Sequence, residues 1–239
     1  MSSLGIIVGV TAEARSLAEY SITNNEPVHL QEGVMLCVSG VGPRRAGLSS
    51  RALLGKGATA LVSWGSAGGL SPKLFPGSLI LPKTIIASDR SVYQVDTSWH
   101  ERFCHRLKGQ VDLHTGPLAE SVTVVRTPSE KAILSQQTGA IGVDMESGAV
   151  AAVAREERVP FIVVRAVVDG MDTTIPQSTL SALDEFGRLN FLKLIQGFLR
   201  HPTELFALLR IGRNYQSAQR TLELVARVTG RDLLVPQEQ

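Results

Sequence analysis

The sequence predicts an α/β domain built around a largely buried sheet and followed by a helical extension. Three observations carry this. Through residue 185, short β-branched runs alternate with Ala-rich stretches of helical composition. The predicted strands are almost continuously apolar, the pattern of a sheet covered on both faces. After Pro176 the pattern turns to amphipathic helices.

The elements follow in order. Gly5–Val10 is the first strand, with Thr11 as an N-cap and Glu13 in the first turn of the next helix. Val34–Val38 is the second strand. Gly42-Pro43 then opens a helix over Arg44–Leu54, because proline suits the first helical turn. Strands are expected at Ala60–Trp64, Ser78–Leu81 and Phe161–Ala166, and a helix at Ser147–Arg155. Residues 1–185 form the body, and 186–239 a basic amphipathic extension of the same structural unit. In that extension Phe191, Leu194, Ile195 and Phe198 recur at helical spacing. His201-Pro202 interrupts the pattern, and the stretches around Leu205–Leu209 and Gln216–Val228 resume it.

Composition excludes several classes. With 239 residues, 44% of them hydrophobic and 19% charged, the chain can bury a large core and is not disordered. Its most apolar stretch, Phe161–Val168, is short and contains Arg165, so no spanning helix is predicted. No charged segment followed by an apolar core and a cleavage site marks a secretory leader. Cys37 and Cys104 are too few for a disulfide framework, and His100, His105, His114 and His201 show no metal-binding spacing. A cytoplasmic protein without a metal or cofactor is expected. The net charge of +2 hides an asymmetry: Phe186–Arg231 holds eight basic residues against two acidic ones, leaving −4 on the remainder. Those basic residues are not interleaved with aromatics, so no nucleic-acid partner is predicted. The segment could lie peripherally on the inner, anionic face of a membrane, or pack on the body or on an oligomer partner.

Three segments carry candidate chemistry, each at a strand's C-terminal end, where open α/β sheets place their ligand crevice. After the first strand, Glu13 is placed favourably against a helix dipole. In Trp64–Leu70 (WGSAGGL) the glycines make either a tight turn or a loop whose N–H groups hold an anion or a hydroxyl. In Val143–Ala154 and Phe161–Asp172, Glu146 precedes a helix of small residues and Asp169 ends an apolar strand. A carboxylate there is costly to desolvate unless it is protonated, paired or hydrogen-bonded.

GIIVGVTAE, SGVG (Ser39–Gly42), GSAGG, VDMES and VVRAVVD occur in the order seen in the purine nucleoside phosphorylase and methylthioadenosine/S-adenosylhomocysteine nucleosidase superfamily. The resemblance spans roughly residues 4 to 175. It implies a single-domain phosphorylase-like fold with a twisted mixed sheet flanked by helices, commonly assembled into homo-oligomers. GVDMESGAVAAVAREERVPFIVVRAVVD, with the tail FLRHPTELFALLR, resembles the hopanoid-associated phosphorylase branch. That branch implies release of adenine from adenosylhopane, a lipid-linked purine nucleoside. A small nucleoside such as methylthioadenosine is the alternative substrate, and a silent nucleoside-binding module at a membrane the non-enzymatic one.

The resemblance also implies roles. Asp169 matches the acid that supports protonation of purine N7, so that the base leaves neutral. Glu146 matches the residue that grips the ribose hydroxyls, with Met145 beside the sugar. Ser66, Ala67 and Gly68 match the substrate-binding turn, and Val168 stands where nucleosidases usually carry a serine. Glu13 matches the acid that activates water. Phosphorylases of the hexameric branch carry an arginine where this chain has Ser63, and Arg15 and Arg44 are the candidates to hold phosphate as co-substrate instead. Phosphorolysis is the expected reaction, with hydrolysis the competing one. The segment Thr127–Leu134 lacks the aromatic that often stacks on the base, and Arg165 is expected in a buried structural pair.

Overall fold

The computed structural model describes residues 3–17, 26–176, 204–230 and 233–235. Strands β1 (Leu4–Val8), β3 (Val34–Val38), β4 (Ala60–Gly69) and β11 (Phe161–Asp169) form the parallel centre of an 11-stranded mixed sheet. Four short strands extend it on one side of β4: β10 (Gly142–Asp144), β9 (Leu118–Glu120), β6 (Thr84–Ile86) and β7 (Val92–Gln94). Strands β5 (Leu79–Ile80) and β8 (Leu113–His114) continue from β11, and β2 (Val28–Gln31) closes the edge beside β3. The α/β class and the mixed sheet agree with expectation.

Helices α2 (Pro43–Gly55) and α5 (Ser147–Glu157) lie where the sequence put them, packed against one another. Residue 43 is the first of α2, and Gly42 at φ +106° supplies the turn into it. Two further helices went unread. In α3 (Thr97–Leu107), Asp96 accepts from the Trp99 backbone at 2.7 Å, and Trp99, Phe103 and Leu107 fill the core. In α4 (Pro128–Thr138), Thr127 and Glu130 form a reciprocal capping box, and Gly139 ends the helix in the left-handed conformation. Lys131 is the one fully buried residue of α4.

The two stretches around Leu205–Leu209 and Gln216–Val228 belong to one helix, α6, which runs from Glu204 to Thr229. Ala218, Leu222 and Val225 enter the main core, the Thr221 hydroxyl donates to Gly77 O at 2.8 Å, and Gln219 donates to Ala12 O. Beyond the helix, Trp99 Nε1 donates to Leu233 O at 2.8 Å. This part of the extension packs on the body. The predicted stretch around Phe191–Phe198 and the His201-Pro202 break lie outside the described residues. Among the described residues, no helix is long and apolar enough to cross a membrane.

Strand β4 sets the position of the site. Its first half, Ala60–Trp64, pairs with β1, which stops at Val8. Its second half continues without β1 and pairs instead with β10, Gly68 against Val143 and Gly69 against Gly142. The segment read as a turn or binding loop is therefore strand, and the crevice opens where β1 leaves it. On the other side, β11 runs beside β4 as far as Val167 opposite Ala67, and then Asp169 pairs with Gly68. That one-residue bulge breaks the alternation of the strand, so Val168 and Asp169 both reach the same cavity.

Candidate active site

The cavity at this opening measures about 280 Å³. All eight residues assigned to chemistry or substrate binding, Glu13, Ser66, Ala67, Gly68, Met145, Glu146, Val168 and Asp169, line it. The remaining wall is mostly apolar: Val41, Val124, Val125, Ile175 and Ile211 contribute, the last from α6. Arg15 and Arg44 do not line it; both are exposed at the surface. The structure does not bring these two phosphate candidates to the cavity. Arg15 caps the C-terminal end of the single turn of α1 (Thr11–Ala14) and Arg44 is the second residue of α2, and both are exposed to solvent.

Glu13 does more than face a helix dipole. Its Oε2 accepts from the backbone N–H groups of Gly9 at 3.0 Å and Val10 at 3.2 Å, at the start of α1. Its Oε1 crosses to β4 and accepts from the Ser66 backbone at 2.8 Å and the Ser66 hydroxyl at 2.7 Å. The anion held by the glycine-rich strand is thus a carboxylate of the protein itself. Four donors match the four acceptor sites of an ionised carboxylate. Gly65 makes this approach possible: a Cβ there would lie 2.5 Å from Arg165 Nη1 and 2.6 Å from Glu13 Oε1. Gly65→Ala is expected to destabilise the protein by about 1–3 kcal/mol through overpacking, read from the denaturant midpoint.

Arg165 is buried and paired, as expected. Its guanidinium holds Asp144 Oδ2, with Nε at 2.7 Å, and donates from Nη2 to Ser63 Oγ at 2.7 Å and Ser147 Oγ at 3.2 Å. The Ser147 hydroxyl donates in turn to Asp144. Ser63, noted in the sequence as a missing arginine, is here the acceptor for an arginine supplied by β11. Glu146 stands 3.7 Å from Arg165 and accepts from Gly42 N at 3.0 Å. Burial is the largest influence on its carboxyl and pushes it up to about 8. The negative charges of Asp144 and Glu13 act in the same direction, and Arg165 and Gly42 oppose them.

Asp169 is nine-tenths or more buried, and its Oδ2 accepts from the ammonium of Lys131, which is itself 0% exposed. Burial raises the Asp169 carboxyl above its ordinary range, while the charge and hydrogen bond of Lys131 draw it down. Sequence reasoning missed Lys131 and Asp144. Asp144 was within reach, because it sits in the VDMES segment and Arg165 needed a partner. No apolar period pointed to Lys131, since α4 has no strong apolar face.

One cavity therefore brings together four carboxylates: Asp144 is held by Arg165, and Glu13, Glu146 and Asp169 can bind hydroxyls, exchange protons with a substrate and stabilise positive charge. Among the described residues no group of His, Cys, Asp and Glu could hold a metal ion.

Comparison with known proteins agrees with this fold. The model of the phosphorylase superfamily matches residues 3–194. A 5'-methylthioadenosine/S-adenosylhomocysteine nucleosidase of Buchnera aphidicola is 27% identical over 184 residues, 68% of this chain and 79% of that protein. The enzyme of the same description from Mycobacterium bovis is 24% identical over 176 residues, 57% of this chain and 69% of its own. Among solved structures, the Helicobacter pylori 5'-methylthioadenosine/S-adenosylhomocysteine nucleosidase superimposes with a TM-score of 0.68 at 17% identity, covering 95% of this chain and 98% of that one. The futalosine hydrolase of Helicobacter pylori gives a TM-score of 0.67 at 16% identity, covering 95% and 97%. With the family model covering most of its length, this chain belongs to the phosphorylase superfamily.

Proposed function

We propose that this enzyme hydrolyses the N-glycosidic bond of a purine nucleoside and releases adenine. The observation that carries the reading is the placement of Glu13, Glu146 and Asp169 around one cavity whose described lining contains no lysine or arginine. Phosphate is an anion and needs cations to bind. Here it would face Glu13, Asp144, Glu146 and Asp169, while the ammonium of Lys131 is spent on protein acceptors and Arg165 is engaged through Nε and Nη2 by Asp144, Ser63 and Ser147. Water suits such a site better.

In this reaction Asp169 gives its proton to N7, and the electron pair of the C1'–N9 bond leaves with the neutral base. Glu146 accepts from the ribose hydroxyls and stabilises the positive charge that develops on the sugar. Water attacks C1' and passes a proton to Glu13. Because Glu13 already accepts four hydrogen bonds, it must release one to take up water. The Ser66 hydroxyl is the donor able to rotate away, since the other three are backbone N–H groups. Solvent then returns the proton from Glu13 to Asp169.

The apolar wall supports a nucleoside with an uncharged 5' substituent, as in methylthioadenosine. Adenosylhopane is the second substrate reading. It is favoured by Ile211 at the cavity wall on the same helix as the basic tail, which would bring a membrane-bound lipid to the site. Incubation with each compound, with and without phosphate, tests both points by mass analysis. Methylthioribose or the hopanoid ribose is expected at equal rate in either buffer. A ribosyl phosphate formed only when phosphate is present would overturn hydrolysis, and cleavage of one compound alone identifies the substrate.

A further inference from the structure

Lys131 is among the largest fully buried side chains of the protein. Its ammonium donates to Asp169 Oδ2, to Gly170 O at 2.7 Å and to Thr173 O at 3.1 Å, so its three protons meet three acceptors. Nothing is left over for a ligand. Nearby, Ile175 N donates to Arg126 O at 3.0 Å and Arg126 Nε returns a bond to Ile175 O at 3.2 Å. These bonds join the two segments that form one end of the cavity, Thr123–Val125 ahead of α4 and Val168–Ile175 at and beyond the end of β11. The backbone bond from Ile175 to Arg126 already ties the segments together without a fully buried charge. An ammonium in the core is costly, and lysine is almost never fully buried unless paired. Its particular effect here falls on Asp169: Oδ2 is fixed, while Oδ1 has no hydrogen-bond partner among the described residues.

We propose that Lys131 is a positioning residue for departure of the base: its buried ammonium fixes Asp169 through Oδ2 and leaves Oδ1 alone to meet the purine. This rests on the reading of Asp169 as the acid. The charge also matters. Burial by itself would make Asp169 a reluctant proton donor, and the neighbouring cation restores its acid strength. Lys131 is the charged group in contact with it. Gly68 and Val143 face it from β4 and β10, and Glu13, Asp144, Glu146 and Arg165 belong to the other part of the site.

The test is a double-substitution cycle of wild type, Lys131→Met, Asp169→Asn and the double variant. Methylthioadenosine hydrolysis is followed against pH, and thermal unfolding is measured alongside. Lys131→Met is expected to lower kcat about 100-fold, within the range for general acid catalysis, with KM changed less than about threefold. Its alkaline limb, where Asp169 loses its proton, should move to higher pH. In the Asp169→Asn background the same change should alter residual kcat less than about threefold, because Lys131 acts through Asp169. An equal loss in both backgrounds, or an unmoved limb, would overturn the proposal. Should Lys131→Met fail to fold, Lys131→Arg decides: kcat falls while the limb stays, and a limb that moves although the charge is kept counts against the proposal. If Asp169→Asn is fully active, or wild type cleaves neither methylthioadenosine nor adenosylhopane, the acid reading falls by itself. Calorimetry with adenine then judges Lys131: about tenfold weaker binding by Lys131→Met, absent in the Asp169→Asn background, supports it, and unchanged binding overturns it.

Discussion

Asp169→Asn is expected to slow adenine release about 100- to 10,000-fold, the range for losing a general acid, with KM little changed. The orientation of the new side chain follows from Lys131. An ammonium bearing only donors requires the amide oxygen where Oδ2 now sits, so the NH₂ group must face the cavity. That group can still donate a hydrogen bond to N7 but cannot transfer its proton. The substrate therefore binds, and the bond to the base breaks slowly. Steady-state rates of adenine release, measured with KM, check both halves. Stability should fall as well, because Lys131 stays buried after its charged partner is removed, and breaking such pairs costs about 3–5 kcal/mol. Unfolding in denaturant separates that loss from the kinetic one.

Glu13→Gln is expected to reduce hydrolysis by a similar factor of about 100 to 10,000, for a different reason. The carboxylate accepts from Gly9, Val10 and Ser66, including three backbone N–H groups on two sides. A glutamine has one acceptor oxygen and one donor group, so either the α1 side or the β4 side must face N–H against N–H. The unsatisfied donors cost about 1–3 kcal/mol, and the base for water is lost. Removing the Glu13 charge also withdraws one of the like charges that raise Glu146. Glu146 should then ionise at lower pH, and the acid limb of the residual activity should shift down with it. A pH profile of the variant beside wild type measures this. Added azide or formate offers a second check, since a small anionic nucleophile needs no base and should recover part of the rate.

Both predictions depend on residues of unequal legibility. Glu13, Glu146 and Asp169 stood out because each acid sits beside a strand end or a helix start, where chain direction alone places it near the crevice. Their partners did not stand out. Lys131 is 38 residues from Asp169, and Arg165 is 102 residues from the Ser63 hydroxyl it holds. Arg15 and Arg44 were candidates because one follows the first strand and the other opens a helix, but chain position does not fix side-chain direction, and both lie exposed outside the cavity. The strands lost to sequence reading between Leu81 and Ser147 are two or three residues long, too short to show a period. Helix α3 is the exception. Its Trp99, Phe103 and Leu107 recur at intervals of four and were legible.

By itself the sequence predicted the α/β class, the four central strands, helices α2 and α5, and, through the resemblance its motifs carry, the candidate acids that line the cavity, because strand and helix periods and short motifs are local properties of the chain. Tertiary structure alone decided that the glycine-rich segment is a strand rather than a loop, since that depends on β10 pairing with the end of β4. It also decided that a β-bulge turns Val168 and Asp169 into one cavity, and that the basic extension contributes Ile211 to the wall. Whether a buried charge is tolerated depends on what lies across from it, and only the folded chain brings Lys131 to Asp169 and Arg165 to Asp144.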